Sequence, residues 1–582
     1  MTNLEIAAVF DQVADLLEFQ GANPFRVRAY RNGARKITDL TEPLSAIDSD
    51  PARSFTDLEG IGKDLAEKIG TLLATGSLPM LAELLQQVPA SVLLLSRIPG
   101  VGPKKGATLY RELGITTLAE LRTACEQQRV RGIKGFGVKT EESILKGLAI
   151  AEEAGVRMRW ADAHVIVEQL LEHMRTAPGV RQMEAAGSYR RGRETVGDLD
   201  LLVDATDVAA VMDRFRDYPT VAEVIARGDT KMAVRLNSGL QVDLRVVPSE
   251  SFGAALQYFT GSKDHNVAVR GRAKQRGLKV NEWGVFRSDE AGEGDTAEFG
   301  KYLAGRTEAE VYAALELPCF PPEMREARQE FVWAEKGALP TLVTLADIRG
   351  DLHMHTTASD GNDSIEEMIA AARASGLQYI AITDHSKRVS MAHGLDGERL
   401  LRQWREVDAV AKRFDDIVVL KGIECDILEA GGMDLPDDVL AQGDWVIASV
   451  HYGQNQSRQQ ITERILGALE NPHVDMLAHP TGRLINRRDP YDVDMDQVFA
   501  AAVKHGKLLE LNANPARLDL HDVHCAAAKR LGIPIVINTD AHSMSGLEVM
   551  QFGVLQARRG GLTAADVANT RPWDGFRKLI GK

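Results

Sequence analysis

The sequence predicts a multidomain protein with an all-α N-terminal part, an α+β centre and a C-terminal parallel (β/α)7 barrel. Three patterns support this fold class: glycine-containing repeats between helical segments in the first 155 residues, acidic strands near residues 198 and 243, and seven strand–helix alternations after residue 345. Alternation of short apolar runs with helical segments is typical of parallel α/β sheets and barrels. A length of 582 residues corresponds to about four domains of ordinary size.

Charge and histidine are unevenly distributed along the chain. The net charge is −14 at pH 7, but residues 97–147 hold ten Lys and Arg against five Asp and Glu, and residues 262–279 hold six against one. Local basic segments of this kind favour nucleic-acid binding despite an acidic total. Eleven of the 14 histidines lie after residue 350, which indicates metal binding in the C-terminal part.

The sequence shows no pattern typical of membrane insertion or secretion. It contains no run of about 18 apolar residues and no basic–apolar signal peptide. Its four cysteines lie far apart along the chain, so we expect free thiols in a reducing compartment. We therefore expect a cytoplasmic monomer without membrane contact, associated with the nucleoid when it binds DNA.

The first 155 residues are predicted to be helical and to bind DNA. Three copies of the pattern apolar-x-Gly-apolar-Gly each precede a helical segment. The two glycines permit a tight turn that exposes backbone N–H groups at a helix start, where a DNA phosphate can bind. One copy alone is also consistent with an ordinary connection between helices, whereas three copies with basic followers favour DNA. The residues concerned are Gly60, Gly62, Gly100, Gly102, Lys104, Lys105, Gly135 and Gly137.

These repeats resemble helix-hairpin-helix motifs, which hold the DNA backbone without reading its sequence. By this resemblance, residues 1–85 form a domain similar to the 8-kDa domain of polymerase beta, and residues 86–155 form a second helix-hairpin-helix subdomain. The Schiff-base lysine of the 8-kDa domain falls on Lys68, which implies 5′-deoxyribose-phosphate lyase chemistry. A lysine nucleophile needs a lowered pKa, and Lys68 is equally consistent with a solvated helix lysine. Glu59 and Asp64 depart from the family pattern.

The stretch from Gly187 to Asp200 predicts a metal-assisted phosphoryl-transfer site. Asp198 and Asp200 are two residues apart at the start of an apolar strand, so they point to the same face. Like charges this close are unfavourable unless a cation lies between them, and Gly187-Ser188 offers N–H and hydroxyl groups to a polyphosphate. A predicted hairpin brings Asp243 beside them. An isolated Asp-x-Asp would instead indicate surface charges on an exposed strand.

This stretch resembles the palm of family X DNA polymerases, the polymerase beta-like nucleotidyltransferases, over residues 156–250. By the resemblance, Asp198, Asp200 and Asp243 hold two Mg²⁺ or Mn²⁺ ions, and the primer 3′-hydroxyl attacks the α-phosphate of a dNTP near Asp243. Gln241 departs from the family, because polymerase beta carries an arginine at that position. The residues implied to bind the dNTP in this part are Gly187, Ser188, Arg191 and Gly197.

Residues 251–317 resemble the thumb of the same family, which begins at a Tyr-Phe-Thr-Gly-Ser segment. By position, the aromatic pair would pack on the deoxyribose, Asn266 would contact the minor-groove edge of the base, and Arg270 would contact the template strand. An aromatic pair taken alone is more often part of a core, and the basic residues that follow also suit a solvated helix face. The residues implied here are Tyr258, Phe259, Gly261, Asn266 and Arg270.

Prolines after Leu317 interrupt the helical pattern, and we predict a linker over residues 318–345. In residues 346–582, metal-type side chains follow six of the seven predicted strands. Catalytic groups of such barrels gather where strands end, so these side chains are predicted to converge, although a lone histidine is usually not a ligand. They are His353, His355, Asp360, His385, Glu424, His451, His479, Asp540 and His542.

This part resembles the PHP (polymerase and histidinol phosphatase) domain, and all nine expected ligand types are present. The family pattern implies up to three Mn²⁺, Zn²⁺ or Fe²⁺ ions, which imidazole and carboxylate ligands suit. The implied ligand sets are His353, His355, Glu424 and Asp540 for the first ion, Glu424, His451 and His479 for the second, and Asp360, His385 and His542 for the third.

Together these patterns resemble a bacterial-type family X DNA polymerase fused to a PHP domain. The implied function is a repair polymerase that adds dNTPs at short gaps in primer-template DNA and trims 3′ ends with an Mn²⁺-dependent 3′→5′ exonuclease. The resemblance also allows the PHP domain to cleave abasic sites or remove 3′-phosphates. Two alternatives stay open: a PHP domain that acts on a small phosphomonoester, and a non-catalytic scaffold that binds DNA ends.

Overall fold

The computed structural model describes the chain apart from residues 2, 39, 41–42, 59, 90–91, 93–94, 96–100, 155–156 and 293–297. It forms two compact units, Met1–Val156 and Arg157–Lys582. No helix among the described residues is long and apolar enough to cross a membrane. Gly100, one of the predicted DNA-binding glycines, and Glu59 lie outside the described residues.

The N-terminal unit is built from helices, which confirms the predicted all-α fold of this part. Apolar residues at helical spacing bury one face of each helix in a connected core that extends from Ile6 to Leu148. Phe10 and Val13 of the first helix are fully buried in that core. The helices are α1 (Asn3–Phe19), α2 (Pro24–Thr38), α3 (Leu44–Asp48), α4 (Lys63–Thr75), α5 (Pro79–Gln87), α6 (Pro103–Leu113), α7 (Leu118–Glu126) and α8 (Val138–Ala154).

The second unit opens with the predicted α+β palm. Its elements are β1 (Met158–Arg159), α9 (Trp160–Arg175), β2 (Val180–Ala185), α10 (Gly187–Arg190), β3 (Thr195–Val196), β4 (Asp198–Ala205), α11 (Val208–Arg216), β5 (Val221–Arg227), β6 (Lys231–Leu236) and β7 (Gln241–Val246).

Five of these strands form one sheet in the order β2-β4-β7-β6-β5. β4 and β7 run parallel, whereas the other neighbours are antiparallel. β6 and β7 form the predicted hairpin, and Gly239 takes a φ of +80° in its turn. Apolar residues at alternate positions of β4, β6 and β7 pack against α9 and α11, which leaves the ends of β4 and β7 to carry polar groups.

The thumb follows as a smaller α+β part. Its three strands form an antiparallel sheet in the order β10-β9-β8, and a Cβ on Gly253 would come within 2.2 Å of the Thr307 backbone. Two of its helices therefore approach each other closely at that glycine. The elements are α12 (Phe252–Thr260), α13 (Lys263–Gln275), β8 (Leu278–Asn281), β9 (Gly284–Arg287), β10 (Lys301–Ala304) and α14 (Glu308–Ala313).

The segment 318–345, predicted as a linker, is packed into the second unit. It contains α15 (Glu330–Glu335), and Arg325 is 1% exposed and paired with Glu308 of the thumb. On its other side, Arg558 donates a 2.6 Å hydrogen bond to Glu323. The prolines interrupt the helical pattern as expected, but the charged residues between them form ion pairs with both neighbouring parts. Local sequence signals do not reveal such distant partners.

The C-terminal part contains the seven parallel strands that the sequence predicts. Their spatial order β11-β12-β13-β14-β15-β16-β17 follows the chain, and a parallel bridge between Met354 and Ala541 brings the first and last strands together, so the barrel is nearly closed. The elements are β11 (Gly350–Asp351), α16 (Ile365–Ala374), β12 (Tyr379–Ile382), α17 (Gly397–Ala411), β13 (Val418–Asp426), α18 (Asp437–Leu440), β14 (Trp445–Ser449), α19 (Arg458–Glu470), β15 (Met476–Leu477), α20 (Met495–His505), β16 (Leu508–Asn512), α21 (Asp522–Leu531), β17 (Ile535–Asn538), α22 (Met550–Arg559) and α23 (Trp573–Leu579).

The palm and the barrel share a buried contact surface within the second unit. Arg483 of the barrel lies 2.8 Å from Glu194, which belongs to the same stretch as the palm carboxylates. Gly192 takes a φ of +65° in that stretch and faces Leu555 of α22, so that a Cβ would lie 2.6 Å from the leucine side chain. Helix α22 is therefore packed directly against the predicted nucleotide-binding loop of the palm.

We predict that Gly192→Ala destabilises the protein by about 2 kcal/mol or more. The alanine would keep a left-handed backbone conformation and would also collide with Leu555. Gly271→Ala is the matched control, because it lies exposed inside α13 with open space around its Cβ position, and it should stabilise by up to about 1 kcal/mol. Chemical denaturation of both variants measures the difference, and equal effects would contradict the close packing.

Candidate active sites

Two neighbouring parallel strands of the palm bring three carboxylates together. The register of β4 against β7 places Asp200 beside Asp243 and Asp198 beside Gln241. Since alternate residues of a strand point to the same face, Asp198 and Asp200 share a face with Asp243, while Leu199 between them is buried. The structure thus assembles the predicted triad, through a parallel pairing of β4 with one strand of the predicted hairpin.

The electrostatics of this triad favour a divalent cation. Burial and the neighbouring charges of Asp198 and Asp243 raise the pKa of Asp200 to about 7, against an ordinary value of 3.8. The carboxylate oxygens are hard ligands of the kind that Mg²⁺ and Mn²⁺ bind. A bound cation would remove the mutual repulsion, so the residues present fit a metal site.

The turn before α10 is shaped by glycine. Gly187 has a φ of +67°, and a Cβ there would lie 2.5 Å from Asp200 Oδ2, so glycine is required at this approach. The N–H of Ala186 donates a 2.8 Å hydrogen bond to the Asp200 carbonyl, and Ser188 follows half-buried in α10. Gly197 is covered by the guanidinium of Arg157. The predicted glycines therefore lie beside the triad.

Arg191, the predicted triphosphate arginine, is held by protein groups. Its Nε donates to Glu326 Oε1 at 3.0 Å, and its Nη1 donates to the Thr260 carbonyl at 2.7 Å. Its charge nevertheless opposes the rise in the pKa of Asp200, so it lies near the carboxylates. Binding of a triphosphate by this side chain would have to compete with Glu326, a feature that the sequence did not reveal.

The third carboxylate has two neighbours on its own strand. Gln241 Nε2 donates a 3.0 Å hydrogen bond to Asp243 Oδ2, so the residue that departs from the family still contacts the triad through a neutral donor. Arg245, two residues beyond Asp243 on the same face, lies over the Phe259 ring at 4.5 Å. Sequence reasoning missed Arg245, although its spacing from Asp243 would have identified it.

The thumb segment that begins at Tyr258 is held together by Asn266. The Asn266 amide donates to the carbonyls of Tyr258 and Gly261 at 2.6 and 3.2 Å, and accepts from Gln257 at 2.9 Å. A Cβ on Gly261 would lie 2.7 Å from Asn266 Oδ1. In this conformation the amide orders the turn, so the predicted contact with a base would require these bonds to open.

The other predicted thumb residues are more accessible. The rings of Tyr258 and Phe259 meet edge to face, with centroids 5.1 Å apart. Arg270 is exposed on α13, where its Nε donates a 3.2 Å hydrogen bond to the Asn266 carbonyl of the same helix. An exposed guanidinium on a basic helix suits a strand phosphate.

The glycine turns of the N-terminal unit have the geometry expected of phosphate-binding hairpins. Gly60 and Gly135 take φ angles of +87° and +90°. Gly62, Gly102 and Gly137 directly precede α4, α6 and α8, with open space around each Cβ position. Their exposure leaves the first N–H groups of each helix accessible. Lys104 is exposed beside the second turn, and Lys105 lies 6.0 Å from the Phe136 ring.

Lys68 lies beside groups that favour its charged form. Burial acts to lower its pKa, but hydrogen bonding to Asp64 and the nearby Tyr30 raise the pKa above its ordinary value. Lys68 Nζ lies 2.5 Å from Asp64 Oδ1. Asp64, which departs from the family pattern, therefore favours the charged form of this lysine.

The strand ends of the barrel bring seven of the nine predicted ligands to the wall of one cavity of about 400 Å³, and the other two, His353 and His355, are buried beside Asp540. Ligand atoms of His355, Asp360, His385 and His542 all lie within 4.8 Å of one another. The same holds for His353, His355 and Asp540, and for His385, Glu424 and His451. His479 joins through Nε2, which lies 3.0 Å from Glu424 Oε1. The predicted ligands thus converge, with Glu424 at their centre.

Several buried ligand nitrogens of this centre make no hydrogen bond within the described chain, among them His353 Nε2 and His355 Nδ1. They are instead crowded against carboxylates and other imidazoles: His353 Nε2 lies 3.5 Å from Glu424 Oε2, which also lies 2.8 Å from His385 Nδ1. Burial would raise the pKa of Glu424, but the imidazoles of His385, His451 and His353 hold it well below the ordinary range. An ionised carboxylate and inward imidazole nitrogens fit transition-metal cations, so the donor set supports the predicted metal centre.

Residues behind the ligands orient them, and the sequence analysis missed these residues. Glu510 Oε1 lies 2.7 Å from His353 Nδ1, and its other oxygen accepts from the His479 backbone N–H at 2.7 Å. Asp426 Oδ1 lies 3.0 Å from His451 Nδ1. Such partners fix which ring nitrogen faces a metal. A charged residue inside the apolar run of β16 was the available signal for Glu510.

One cation also lines the cavity without being a ligand type. Arg517 Nε lies 3.5 Å from Asp540 Oδ2, and the side chain is 18% exposed. A guanidinium at the edge of an anionic metal centre is suited to a substrate phosphate.

The fold and the two sites define an enzyme that joins a nucleotidyltransferase centre to a metal-dependent phosphoesterase domain. Family models agree along the chain: a helix-hairpin-helix domain matches residues 1–78, a SAM-like helix-hairpin-helix tandem 92–149, the DNA polymerase beta palm 157–247, the DNA polymerase beta thumb 255–326, and the PHP domain 351–514.

A full-length relative gives the family. The DNA polymerase/3′-5′ exonuclease PolX of Bacillus subtilis (strain 168) is 42% identical over 573 residues, which cover 98% of both chains. The chain therefore belongs to the PolX family. Probable phosphatases of Thermoanaerobacter sp. (strain X514) and of Caldanaerobacter subterraneus subsp. tengcongensis are 28% and 29% identical over 231 and 203 residues, covering 89% and 75% of those proteins but 38% and 33% of this chain.

We predict that ionisation of Asp200 lowers the free energy of unfolding of the metal-free protein as the pH rises. Because its pKa is raised from 3.8 to about 7 on folding, the folded state binds more protons than the unfolded state between those values, and stability falls as pH rises through this window. With EDTA present, the unfolding free energy of the wild type minus that of Asp200→Asn should decrease between about pH 4 and 7. Added Mn²⁺ at pH 8 should stabilise the wild type more than Asp200→Asn, because the barrel centre is intact in both proteins. A flat difference would contradict the shift.

We predict that Glu510→Gln weakens metal binding at the barrel centre by about 10- to 100-fold, because the amide cannot hold His353 as the carboxylate does. Calorimetric titration of the metal-free protein with Mn²⁺ or Zn²⁺ measures the affinity for the metal. Glu398→Gln is the control, since this carboxylate lies exposed on α17. Equal affinities of the two variants would exclude the orienting role.

Proposed function

We propose that this protein is a DNA repair polymerase that adds dNTPs to primer ends at short gaps and trims 3′ ends with its PHP domain. The pairing of Asp200 with Asp243 on adjacent parallel strands, beside the Gly187 turn, carries the first activity. The convergence of nine ligand residues at the barrel carries the second. Membership of the PolX family supports both, since a relative's name joins the same two activities.

In the palm, the chain's residues bind and orient the reactants. Two Mg²⁺ or Mn²⁺ ions at Asp198, Asp200 and Asp243 would neutralise the triphosphate and acidify the primer hydroxyl. Asp243 holds its orientation through the hydrogen bond from Gln241. The Gly187-Ser188 turn offers N–H and hydroxyl groups to the phosphates. The primer hydroxyl gives up its proton to solvent, its oxygen bonds to the α-phosphorus, and the bond from that phosphorus to the bridging oxygen breaks, so that pyrophosphate leaves.

In the barrel, we propose that bound metal ions likewise promote hydrolysis of the terminal phosphodiester. Up to three Mn²⁺, Zn²⁺ or Fe²⁺ ions at the nine ligands would supply a hydroxide and stabilise both reacting oxygens. Glu510 and Asp426 hold two of the imidazoles in place. Arg517 would pair with an oxygen of the scissile phosphate.

DNA binding is assigned to the hairpin turns of the N-terminal unit and to the basic α13. The exposed N–H groups after Gly62, Gly102 and Gly137 suit backbone phosphates. The raised pKa of Lys68 does not support the lyase reaction, so we leave that activity out of the proposal. Action of the PHP domain on a small phosphomonoester is the second candidate, because two relatives that match part of this chain are named probable phosphatases.

We predict that the two activities separate by mutation. Asp243→Ala should lower dNTP addition more than about a hundredfold and leave 3′ trimming unchanged, and His355→Ala should do the reverse, since each change removes ligands from one centre only. The assay uses a 5′-labelled primer on one-nucleotide-gapped DNA with Mn²⁺, with and without dNTPs.

Asp229→Ala and His505→Ala are the matched controls, because Asp229 is exposed between β5 and β6 and His505 ends α20 beside Glu470, and neither is a predicted ligand. Loss of both activities in either folded single variant would contradict two separate centres. Faster hydrolysis of histidinol phosphate than of DNA would favour the phosphatase candidate.

A further inference from the structure

We propose that Arg559 of the barrel is a positioning residue for nucleotide binding in the palm, acting on Arg191 through Glu326. This inference deepens the polymerase function proposed above and rests on it. It assigns to the PHP domain a part in the first centre that is separate from its own metal chemistry.

The contacts converge on a single oxygen atom. Arg191 Nε lies 3.0 Å and Arg559 Nη1 3.1 Å from the same Glu326 Oε1, and Arg193 Nη1 lies 3.8 Å from it. Arg559 Nη1 also donates to the Arg191 carbonyl at 2.8 Å. The two arginines therefore share one carboxylate oxygen. When one arginine releases Glu326, the other can still bind it.

The barrel holds Arg559 firmly in this position. Its Nη2 lies 2.7 Å from Asp522 Oδ2 at the start of α21, and Asp522 also pairs with Arg328 at 3.1 Å. The side chains of Arg559 and Asp522 are each 2% exposed. Buried ion pairs that are this well connected keep their geometry, because breaking one leaves an uncompensated charge.

The cluster carries more positive than negative charge beside the triad. Its arginines outnumber its carboxylates by four to two, counting Arg191, Arg193, Arg328 and Arg559 against Glu326 and Asp522. The positive field holds the pKa of Glu326 at about 2 despite its burial, with Arg559 the largest contributor. Glu326 is therefore fully ionised, and the strength of its ion pair with Arg191 depends on how many other cations lie beside it.

The consequence concerns the release of Arg191. The guanidinium lies near enough to the carboxylates to influence the pKa of Asp200, so a triphosphate bound there would be within its field. To bind phosphate oxygens, Arg191 must loosen its bond to Glu326. With Arg559 present, Glu326 keeps a strong partner when that happens. Without Arg559, release of Arg191 would leave a buried carboxylate with only the more distant Arg193.

A double-mutant cycle on the full-length protein tests this. The Kd of Mg²⁺·dATP is measured on gapped DNA whose primer ends in a dideoxynucleotide and whose gap contains a template thymine. KM and kcat are measured on the same DNA with an extendable primer. Arg559→Gln should raise Kd and KM for dATP about tenfold, because Glu326 then holds Arg191 alone. Glu326→Gln should not raise them. The double variant should return to within about twofold of Glu326→Gln, because a neutral amide no longer retains Arg191.

Arg558→Gln is the matched control, since Arg558 is also on α22 and pairs with Glu323 but does not contact Glu326 in the described chain. It should leave Kd for dATP within about twofold of wild type. Melting temperature and 3′ trimming check that each variant is folded. If Arg559 only held the palm and the barrel together, Glu326→Gln would not rescue dATP binding in Arg559→Gln. The double variant would then remove still more of the contacts between these two parts.

Three outcomes overturn the inference: an unchanged Kd in Arg559→Gln, an equal rise in Arg558→Gln, or failure of Glu326→Gln to restore binding. If wild type binds dATP without extending the primer, the polymerase proposal fails and the cycle in Kd still decides the role of Arg559. If wild type binds no nucleotide, both are overturned.

Discussion

Crowded charge that requires a counter-charge is the constraint on which both centres depend. In the palm, three carboxylates lie together on two adjacent strands, and partial burial with the charges of Asp198 and Asp243 raises the pKa of Asp200 to about 7. In the barrel, Glu424 stays ionised among imidazoles in a buried cavity. Neither arrangement is favourable as a packing solution alone. Each becomes favourable when cations occupy it, which couples the stability of the fold to its chemistry.

The same constraint applies to the buried contact surface between the palm and the barrel. Glu194 pairs with Arg483, and Glu326 with Arg191 and Arg559, so the loop that carries the predicted nucleotide-binding groups is tied to the PHP domain by buried ions. The segment 318–345 takes part through Arg325 and Glu323. A domain with its own metal centre therefore also serves as part of the scaffold of the first centre.

Much of the fold could be predicted because its signals are local. The buried faces of the palm strands follow from alternation of apolar residues, and the seven barrel strands follow from short apolar runs between helical segments. The parallel pairing of β4 with β7 did not follow from these patterns. The ligands could be predicted for the same reason, since the metal-type residues lie near the ends of successive strands or in the loops that follow them. Glu510 was missed because its only signal is one charge inside an apolar strand, and such a charge does not show which side chain it contacts.

The sequence by itself determined the order of the parts, the glycines at the turns and the side chains predicted to bind metal. Only the tertiary structure decided which charges meet. Arg191 and Glu326 are 135 residues apart, and Arg559 and Glu326 are 233 apart. Periodicity reports which face of an element is buried, but it carries no information on a distant ionic partner. That partner is selected by the packing of whole domains, since a buried charge is stable only where the fold brings its counter-charge within reach.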